Sequence, residues 1–267
     1  KRIIYYKGEH LFFLFPSFML LPKITIVTPS VRLEGLEMVM RCLKRQTFKA
    51  FEWLIVSPFS VVELDRELDH FDYTHIEEPS KNEGDYYNLN KAWNETFRQA
   101  RGDLVVSIVD LLWFPSDVLE RLWIHYTQNP KVCISTVGNQ YEVVENGKPE
   151  LIVWGDPRMR KDFGTFYEIS PNDMELCLAS IPRQAILDVG GVDEEYDKYA
   201  ALSEKELCYR IEKLGYKFYI DQSIEYRAMK HSRLTKEWDE RYFAGWTYHE
   251  KCLKEIMEGK RLKLAFV

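Results

Sequence analysis

The sequence predicts an α/β protein in which a doubly wound, mostly parallel sheet with flanking helices forms a single domain. From residue 23 onward, short apolar runs alternate with amphipathic helical patterns, the order typical of strands joined by crossover helices. The unbroken apolar run 104–109 ends abruptly at the carboxylate of Asp110, which is typical of a buried parallel strand. A chain of 267 residues with 46% hydrophobic content can fill one large core.

The first half of the chain contains four predicted strands. They cover residues 23–28, 51–57, 73–77 and 104–109, with helices predicted over 36–45, 61–68 and 90–100. Gly102 follows the last helix and is predicted to be its C-cap. Because ligands bind beyond the carboxyl ends of parallel strands, Asp110 is a candidate binding residue.

In the second half of the chain, after Asp110, the pattern of predicted strands and helices is different. Helices are predicted over 118–128, 183–189 and 204–214, and strands over 132–137, 174–181 and 216–220. Asn146-Gly147 predicts a hairpin turn between segments 141–145 and 150–154, and residues 155–173 are predicted to be a loop. The expected organisation is an extension (1–22), a main domain (23–231, divided at residue 113 into a nucleotide-binding half and an acceptor half) and a C-terminal helical segment (232–267).

Composition limits the classes of partner and compartment. A net charge of −6 and a pI near 5.7 give no strong signal for nucleic acid. The five cysteines lack CxxC pairing, which favours a reducing, cytoplasmic setting without a metal cluster.

The apolar stretch 11–21 is about half the length that spans a bilayer, and Pro16 interrupts it. We therefore expect no transmembrane segment there but a strand or hairpin packed on the domain, with a peripheral membrane contact as the minority alternative. The sequence does not predict an oligomeric state.

Six short motifs then occur in a recognisable order. They are Ile24-Thr-Ile-Val-Thr-Pro-Ser30, Gln46-Thr-Phe with 51–56, Asn90-Lys91, Gly102 to Asp110, Gly190-Gly-Val-Asp193 and Ser203 to Arg210 followed by Gly215. Together they resemble the family 2 glycosyltransferases of the GT-A fold over residues 23–231. The resemblance implies a nucleotide-sugar donor and a glycan or glycoconjugate acceptor.

The resemblance also implies which residues bind the donor. The family's first strand end and the segment before its central helix hold the nucleotide, which makes a set of polar and glycine residues candidates. They are Thr28, Pro29, Ser30, Asn82, Gly84, Asn90 and Asp110. Each Asn and Ser has turn chemistry as its ordinary alternative. The family's acidic residue after the second strand is replaced here by Ser57-Pro58-Phe59, so Phe59 is a candidate for stacking on the base.

A divalent cation, Mn²⁺ or Mg²⁺, is implied by the same resemblance. The family usually has two or three acidic residues after the central strand, but Leu111 and Leu112 follow Asp110 here. We expect Asp110 and His231 to bind the metal, with a requirement that is weak or dispensable. The basic cluster Arg158, Arg160 and Lys161 could share the phosphate charge, and His231 could equally be an ordinary surface histidine.

Glu204 is the candidate catalytic base, since the family places an acidic residue at the start of the helix after the Gly-Gly turn. A helix N-terminus would keep this carboxylate ionised and fixed. The alternative role is helix capping by Ser203 and Glu204. The implied function is inverting transfer from a UDP-sugar to a hydroxyl. The alternatives are a non-catalytic sugar-nucleotide or glycan binder, a nucleotidyltransferase, and a glycosyltransferase acting on modified nucleic acid.

Overall fold

The structure is a computed structural model that describes residues 21–199, 202–231 and 238–266. Within those ranges the chain forms one ten-stranded sheet, flanking helices and a separate two-stranded hairpin. The N-terminal strand or hairpin predicted within residues 1–20 lies outside the described residues.

The strands and helices follow the predicted alternation. The strands are β1 (Ile24–Pro29), β2 (Phe51–Ser57), β3 (Thr74–Glu77), β4 (Leu104–Ile108), β5 (Leu112–Trp113), β6 (Val132–Tyr141), β7 (Val144–Glu145), β8 (Lys148–Pro149), β9 (Ile152–Trp154), β10 (Phe166–Ile169), β11 (Leu178–Pro182) and β12 (Lys217–Met229). The helices are α1 (Leu33–Lys44), α2 (Val61–Glu67), α3 (Leu89–Gln99), α4 (Val118–Gln128), α5 (Arg183–Val189), α6 (Ser203–Glu212) and α7 (Trp238–Met257). Short 3₁₀ turns cover Lys161–Phe163, Pro171–Asp173 and Glu194–Lys198.

Eight strands of the main sheet follow the order β10-β12-β6-β11-β4-β1-β2-β3, and the other two are β5, which pairs with β12, and β9, which pairs with β6. Strands β3, β2, β1 and β4 are parallel, and β6 is parallel to β12, whereas β11 runs antiparallel between β4 and β6. The predicted mostly parallel sheet is therefore confirmed. Because β1, β2 and β4 are parallel, their carboxyl ends lie along one edge of the sheet.

Helices cover both faces of the sheet, so the core has two parts. Along β4, Leu104 and Val106 pack on the face that α1 and α4 cover, whereas Val105 packs on the face that α3, α5 and α6 cover. Burial on both faces explains why this strand is almost entirely apolar, with Ser107 as the exception, rather than alternating.

Local turn chemistry is partly as predicted. Asn146 and Gly147 have φ of 49° and 79° and join β7 to β8, as expected for a hairpin turn that needs two positive φ values. Gly102 is not the predicted C-cap, since its φ is not positive. A Cβ there would lie 2.5 Å from the backbone nitrogen of Thr25, so Gly102 instead permits close approach to β1. The strand predicted over 174–181 begins only at Leu178.

Helix α7 and the residues after it pack against the second half of the sheet domain. Arg261 forms ion pairs with Asp193 and with Glu206, whose Oε1 lies 2.9 Å from the Arg261 Nε. The amide of Leu264 donates to the carbonyl of Val189 at 2.9 Å. Among the described residues, no helix is both long enough and apolar enough to cross a bilayer.

Candidate functional site

A cavity of about 500 Å³ opens at the carboxyl ends of β1, β2 and β4, and we call it the strand-end cavity. Its floor includes Ser30 from the end of β1, Val56 from β2 and Asp110 from beyond β4. Tyr226 on β12 and Trp154 on β9 contribute from the opposite half of the sheet. The two halves of the domain therefore enclose one ligand-sized space.

Asp110 is held firmly in this cavity. Its Oδ2 accepts a hydrogen bond of 2.6 Å from the Ser30 hydroxyl, and its two oxygens lie 3.1 and 3.2 Å from Nη1 of Arg32. The next residue, Leu111, has φ of 61°, a left-handed conformation that costs a non-glycine residue about 1 kcal/mol. The strained backbone thus turns the chain immediately after a carboxylate that is only 8% exposed.

Gly35 allows helix α1 to approach this carboxylate closely. A Cβ at Gly35 would lie 2.8 Å from the Cβ of Asp110, which real side chains do not tolerate. Arg32 immediately precedes α1. The close approach therefore brings the start of this helix, with Arg32, directly beside Asp110.

The two predicted metal ligands, Asp110 and His231, both line the strand-end cavity. Between them lies the guanidinium of Arg32, whose Nη2 is 3.2 Å from Nδ1 of His231. Among the described residues, no three His, Cys, Asp or Glu side chains are grouped so that they could hold a metal ion. The donor set at this point fits a divalent cation poorly, because such ions want several free oxygen ligands.

A second cavity of about 270 Å³ adjoins the first, and we call it the helix-end cavity because Ser203 and Glu204 at the start of α6 line it. Five residues contribute to the walls of both cavities. They are Tyr87, Leu89, Val109, Glu175 and Cys177. Burial raises the pKa of the Cys177 thiol to about 12, so this cysteine stays protonated and is no nucleophile.

Glu204 lies in the first turn of α6, with 27% of its side chain exposed. Desolvation raises the pKa of this carboxyl, and the negative charge of the nearby Glu175 also raises it. Lys205, whose Nζ lies 3.9 Å from Oε1 of Glu204, lowers the pKa but does not reverse the shift. The residue before the helix, Leu202, has φ of 84°. Two of the five described non-glycine residues with positive φ, Leu111 and Leu202, thus lie close to the candidate carboxylates, and such strain is often found at functional sites.

Asn90, at the start of α3, is buried and lines the helix-end cavity. Its Nδ2 donates to Oδ1 of Asp197 at 2.9 Å, and its backbone amide donates to the same oxygen at 2.8 Å. Its Oδ1 has no hydrogen-bond partner among the described residues. Buried amide oxygens are normally satisfied, so an unpaired one on a residue that lines the cavity favours a ligand that supplies a hydrogen-bond donor.

The structure does not bring three of the predicted donor-binding residues into either cavity. The Thr28 hydroxyl points into the core, where it accepts a hydrogen bond of 3.0 Å from Nε1 of Trp53. Asn82 and Gly84 lie in an exposed loop, in which Gly84 has φ of 87°. The Thr28 hydroxyl thus has a structural role, and donor binding by these three residues stays a prediction. Pro29, Ser30 and Asn90 do line the cavities.

The basic cluster predicted to share the phosphate charge is not at the site. Arg158 is 7% exposed and pairs with Asp156, Nη2 to Oδ2, at 2.7 Å. Arg160 and Lys161 are exposed and do not belong to the described lining of either cavity. Phe59, the candidate for base stacking, packs against the core. The cluster was predicted from sequence proximity, which does not determine where side chains point.

Arg158→Ala should therefore destabilise the protein rather than impair ligand binding. The substitution leaves the carboxylate of Asp156 buried without its partner, and we expect a loss of about 3–5 kcal/mol in the free energy of unfolding. Arg160→Ala removes the same charge from an exposed position and should cost less than about 1 kcal/mol. Denaturant unfolding of both variants measures the difference, and equal stabilities would contradict the structural role of Arg158.

The cavities also contain residues that the sequence did not single out. Arg32 and Glu78 line the strand-end cavity, and Glu175 and Tyr87 line both. Only Arg32 had a weak indication in the sequence of a place at the site, because it lies two residues after Ser30 in the loop that follows the first strand. The others reach the site through tertiary packing.

Comparisons with known proteins give fold relatives but no sequence family. No protein-family model matches this chain, and no curated protein does. S. aureus TarS in complex with UDP superposes with a TM-score of 0.55 at 14% identity, over 88% of this chain and 70% of that one. TarS in complex with UDP-GlcNAc gives 0.55 at 15% identity, over 79% and 59%.

GalNAc-T7 with UDP, GalNAc and Mn²⁺ gives a TM-score of 0.59 at 17% identity, over 82% of this chain and 44% of that one. The chain thus spans between 44% and 70% of the length of these three structures. Identities this low show the fold alone. The central sheet with its flanking helices therefore has the architecture of the GT-A glycosyltransferases.

Proposed function

We propose that this chain is an inverting glycosyltransferase that moves a sugar from a UDP-sugar to a hydroxyl of a glycan or glycoconjugate. The observation that carries the proposal is the pair of adjoining cavities, one built around Asp110 and the other around Glu204, with Glu175 in their common wall. A donor and an acceptor held in two such spaces would meet at this wall.

The strand-end cavity suits the nucleotide part of the donor. It lies where parallel strands end, which is the usual ligand position in such sheets. The Asp110 carboxylate can accept hydrogen bonds from ribose hydroxyls. The fold relatives TarS and GalNAc-T7 were solved with UDP, which supports a UDP-sugar here as the donor.

The helix-end cavity suits the acceptor hydroxyl. Glu204 would take the hydroxyl proton as the acceptor oxygen forms its bond to the anomeric carbon. The bond from that carbon to the β-phosphate oxygen breaks, and its electron pair leaves with UDP. Attack from the side opposite the leaving group inverts the anomeric configuration.

Asn90 supports an acceptor that is rich in hydroxyl groups. Its Oδ1 is a buried hydrogen-bond acceptor without a partner among the described residues, and it shares the helix-end cavity with Glu175 and Glu204. Three acceptor groups in one small cavity favour a ligand that supplies hydrogen-bond donors. A sugar ring with several free hydroxyls has this chemistry.

A thermal-shift panel of UDP-, GDP-, CMP- and dTDP-sugars tests the donor assignment. We expect UDP-sugars to raise the melting temperature more than the other donors at equal concentration, because only a ligand that binds the native state stabilises it. Release of UDP in the presence of mixed glycan acceptors tests transfer. Stabilisation without UDP release from any acceptor would favour a non-catalytic sugar-nucleotide binder instead.

A further inference from the structure

We propose that the guanidinium of Arg32, and not a bound metal ion, supplies the positive charge that stabilises the donor diphosphate. This inference rests on the function proposed above. It concerns the group that neutralises the leaving diphosphate, for which the sequence predicted a cation held by Asp110 and His231.

Arg32 is fixed at the wall of the strand-end cavity. Its Nη1 lies 3.1 and 3.2 Å from the two oxygens of Asp110, and its Nη2 lies 3.2 Å from Nδ1 of His231. Its side chain is 19% exposed and belongs to the lining of the cavity. A guanidinium has five N–H donors in a rigid plane and binds phosphate oxygens in pairs. Asp110 and His231 therefore orient a group that can still bind an anion.

The same contacts oppose a divalent cation at this place. Oδ2 of Asp110 already accepts from the Ser30 hydroxyl at 2.6 Å, and both carboxylate oxygens face Arg32. A Mn²⁺ or Mg²⁺ ion on this carboxylate would lie close to the fixed positive charge of the guanidinium, and at such separations like charges repel strongly. A divalent cation and the Arg32 guanidinium are therefore alternative ways to neutralise the charge of the diphosphate.

No other cation of the described residues takes the place of Arg32 in the strand-end cavity. Among the described residues that line the strand-end cavity, Arg32 is the only Lys or Arg. Arg158 is buried against Asp156, and Lys91, which follows Asn90 of the helix-end cavity in the sequence, pairs with Asp85. The diphosphate of a donor in this cavity would meet its positive charge at the start of α1, where the helix N-terminus also favours an anion.

Calorimetric titration of UDP and of uridine tests the assignment without relying on turnover. Arg32→Met keeps much of the side-chain volume and removes the charge, so we expect UDP affinity to fall about 10- to 100-fold and uridine affinity to stay unchanged. Arg32→Lys keeps the charge but not the paired donors and should give an intermediate loss. Arg41→Met is the matched control, because Arg41 lies on α1, the helix that Arg32 precedes, pairs with Glu37 and is 51% exposed.

The second arm compares UDP binding by the wild-type protein in EDTA and in Mn²⁺. We expect the two affinities to agree within about threefold. A Mn²⁺-dependent gain of tenfold or more, or wild-type UDP affinity in Arg32→Met, would overturn the assignment while leaving the proposed function standing. If Arg32→Met does not fold, the UDP affinity of Arg32→Lys and the comparison of EDTA with Mn²⁺ still test whether Arg32 binds the diphosphate. Failure of the wild type to bind UDP at all would overturn both the proposed function and this inference.

Discussion

Glu204→Gln should lower the rate of sugar transfer by about 10²- to 10⁴-fold and leave UDP affinity nearly unchanged. The substitution keeps the size of the side chain and its place in the first turn of α6, but an amide cannot accept the proton of the attacking hydroxyl. Initial rates of UDP release, together with calorimetric UDP titration, separate these two effects.

Glu212→Gln is the matched control, because Glu212 lies on the same helix and is exposed. It should retain the wild-type rate. Glu206→Gln is unsuitable, since Glu206 is fully buried and pairs with Arg210 at 2.7 Å and with Arg261, so its loss would destabilise the fold. If Glu204 only caps the helix, turnover should stay near normal and stability should fall by up to about 1 kcal/mol.

The pH profile gives an independent test of the same residue. A base acts in its deprotonated form, so transfer should decline as pH falls through the pKa of Glu204. Since desolvation raises this pKa, the acid limb should lie above the usual glutamate value of about 4.3. The residual activity of Glu204→Gln should lack this limb, and an unchanged limb would assign the titration to another group.

Asp110→Ala should have the second large effect, lowering transfer by about 10³-fold and weakening UDP binding by about tenfold or more. The carboxylate is lost both as an acceptor for ribose hydroxyls and as the partner that orients Arg32. The pair is largely buried, with 8% of the Asp110 side chain and 19% of the Arg32 side chain exposed, so the melting temperature should fall as well. UDP affinity is therefore compared at a temperature at which both proteins are folded.

Asp103→Ala is the control for this variant. Asp103 is exposed and lies just before β4, at the opposite end from Asp110. The substitution Asp103→Ala removes the same charge from the amino-terminal side of β4 and should not alter UDP affinity. Equal UDP affinity in the two variants would remove Asp110 from the donor site.

Two predictions that depend on neighbouring residues agree with the structure, although the predicted C-cap role of Gly102 does not. The positive φ values of Asn146 and Gly147 follow from the turn that this pair favours, and the apolar run before Asp110 forms β4 within a sheet that is buried on both faces. Each rests on interactions within a few residues, for which the sequence carries the information directly.

Predicted side-chain directions agree less well with the structure. Thr28 and Ser30 are two residues apart, yet the Thr28 hydroxyl bonds Trp53 in the core whereas the Ser30 hydroxyl bonds Asp110 in the cavity. The three basic residues of segment 158–161 were predicted to form one cluster, but Arg158 is buried and pairs with the buried Asp156. Trp53 lies 25 residues from Thr28, whereas Asp156 is only two residues from Arg158 and owes its burial to tertiary packing.

The sequence by itself determined the alternation of strands and helices, the sheet class and the delivery of Asp110 to the carboxyl edge of the sheet, because these follow from hydrophobic periodicity and local turn chemistry. Only the tertiary structure decided that Arg32 lies between Asp110 and His231 and that Glu175 stands in the wall between the two cavities. Residues 32 and 231 meet across 199 positions. Such contacts depend on how whole elements pack, with Gly35 letting α1 approach Asp110, and no local pattern in the sequence encodes that packing.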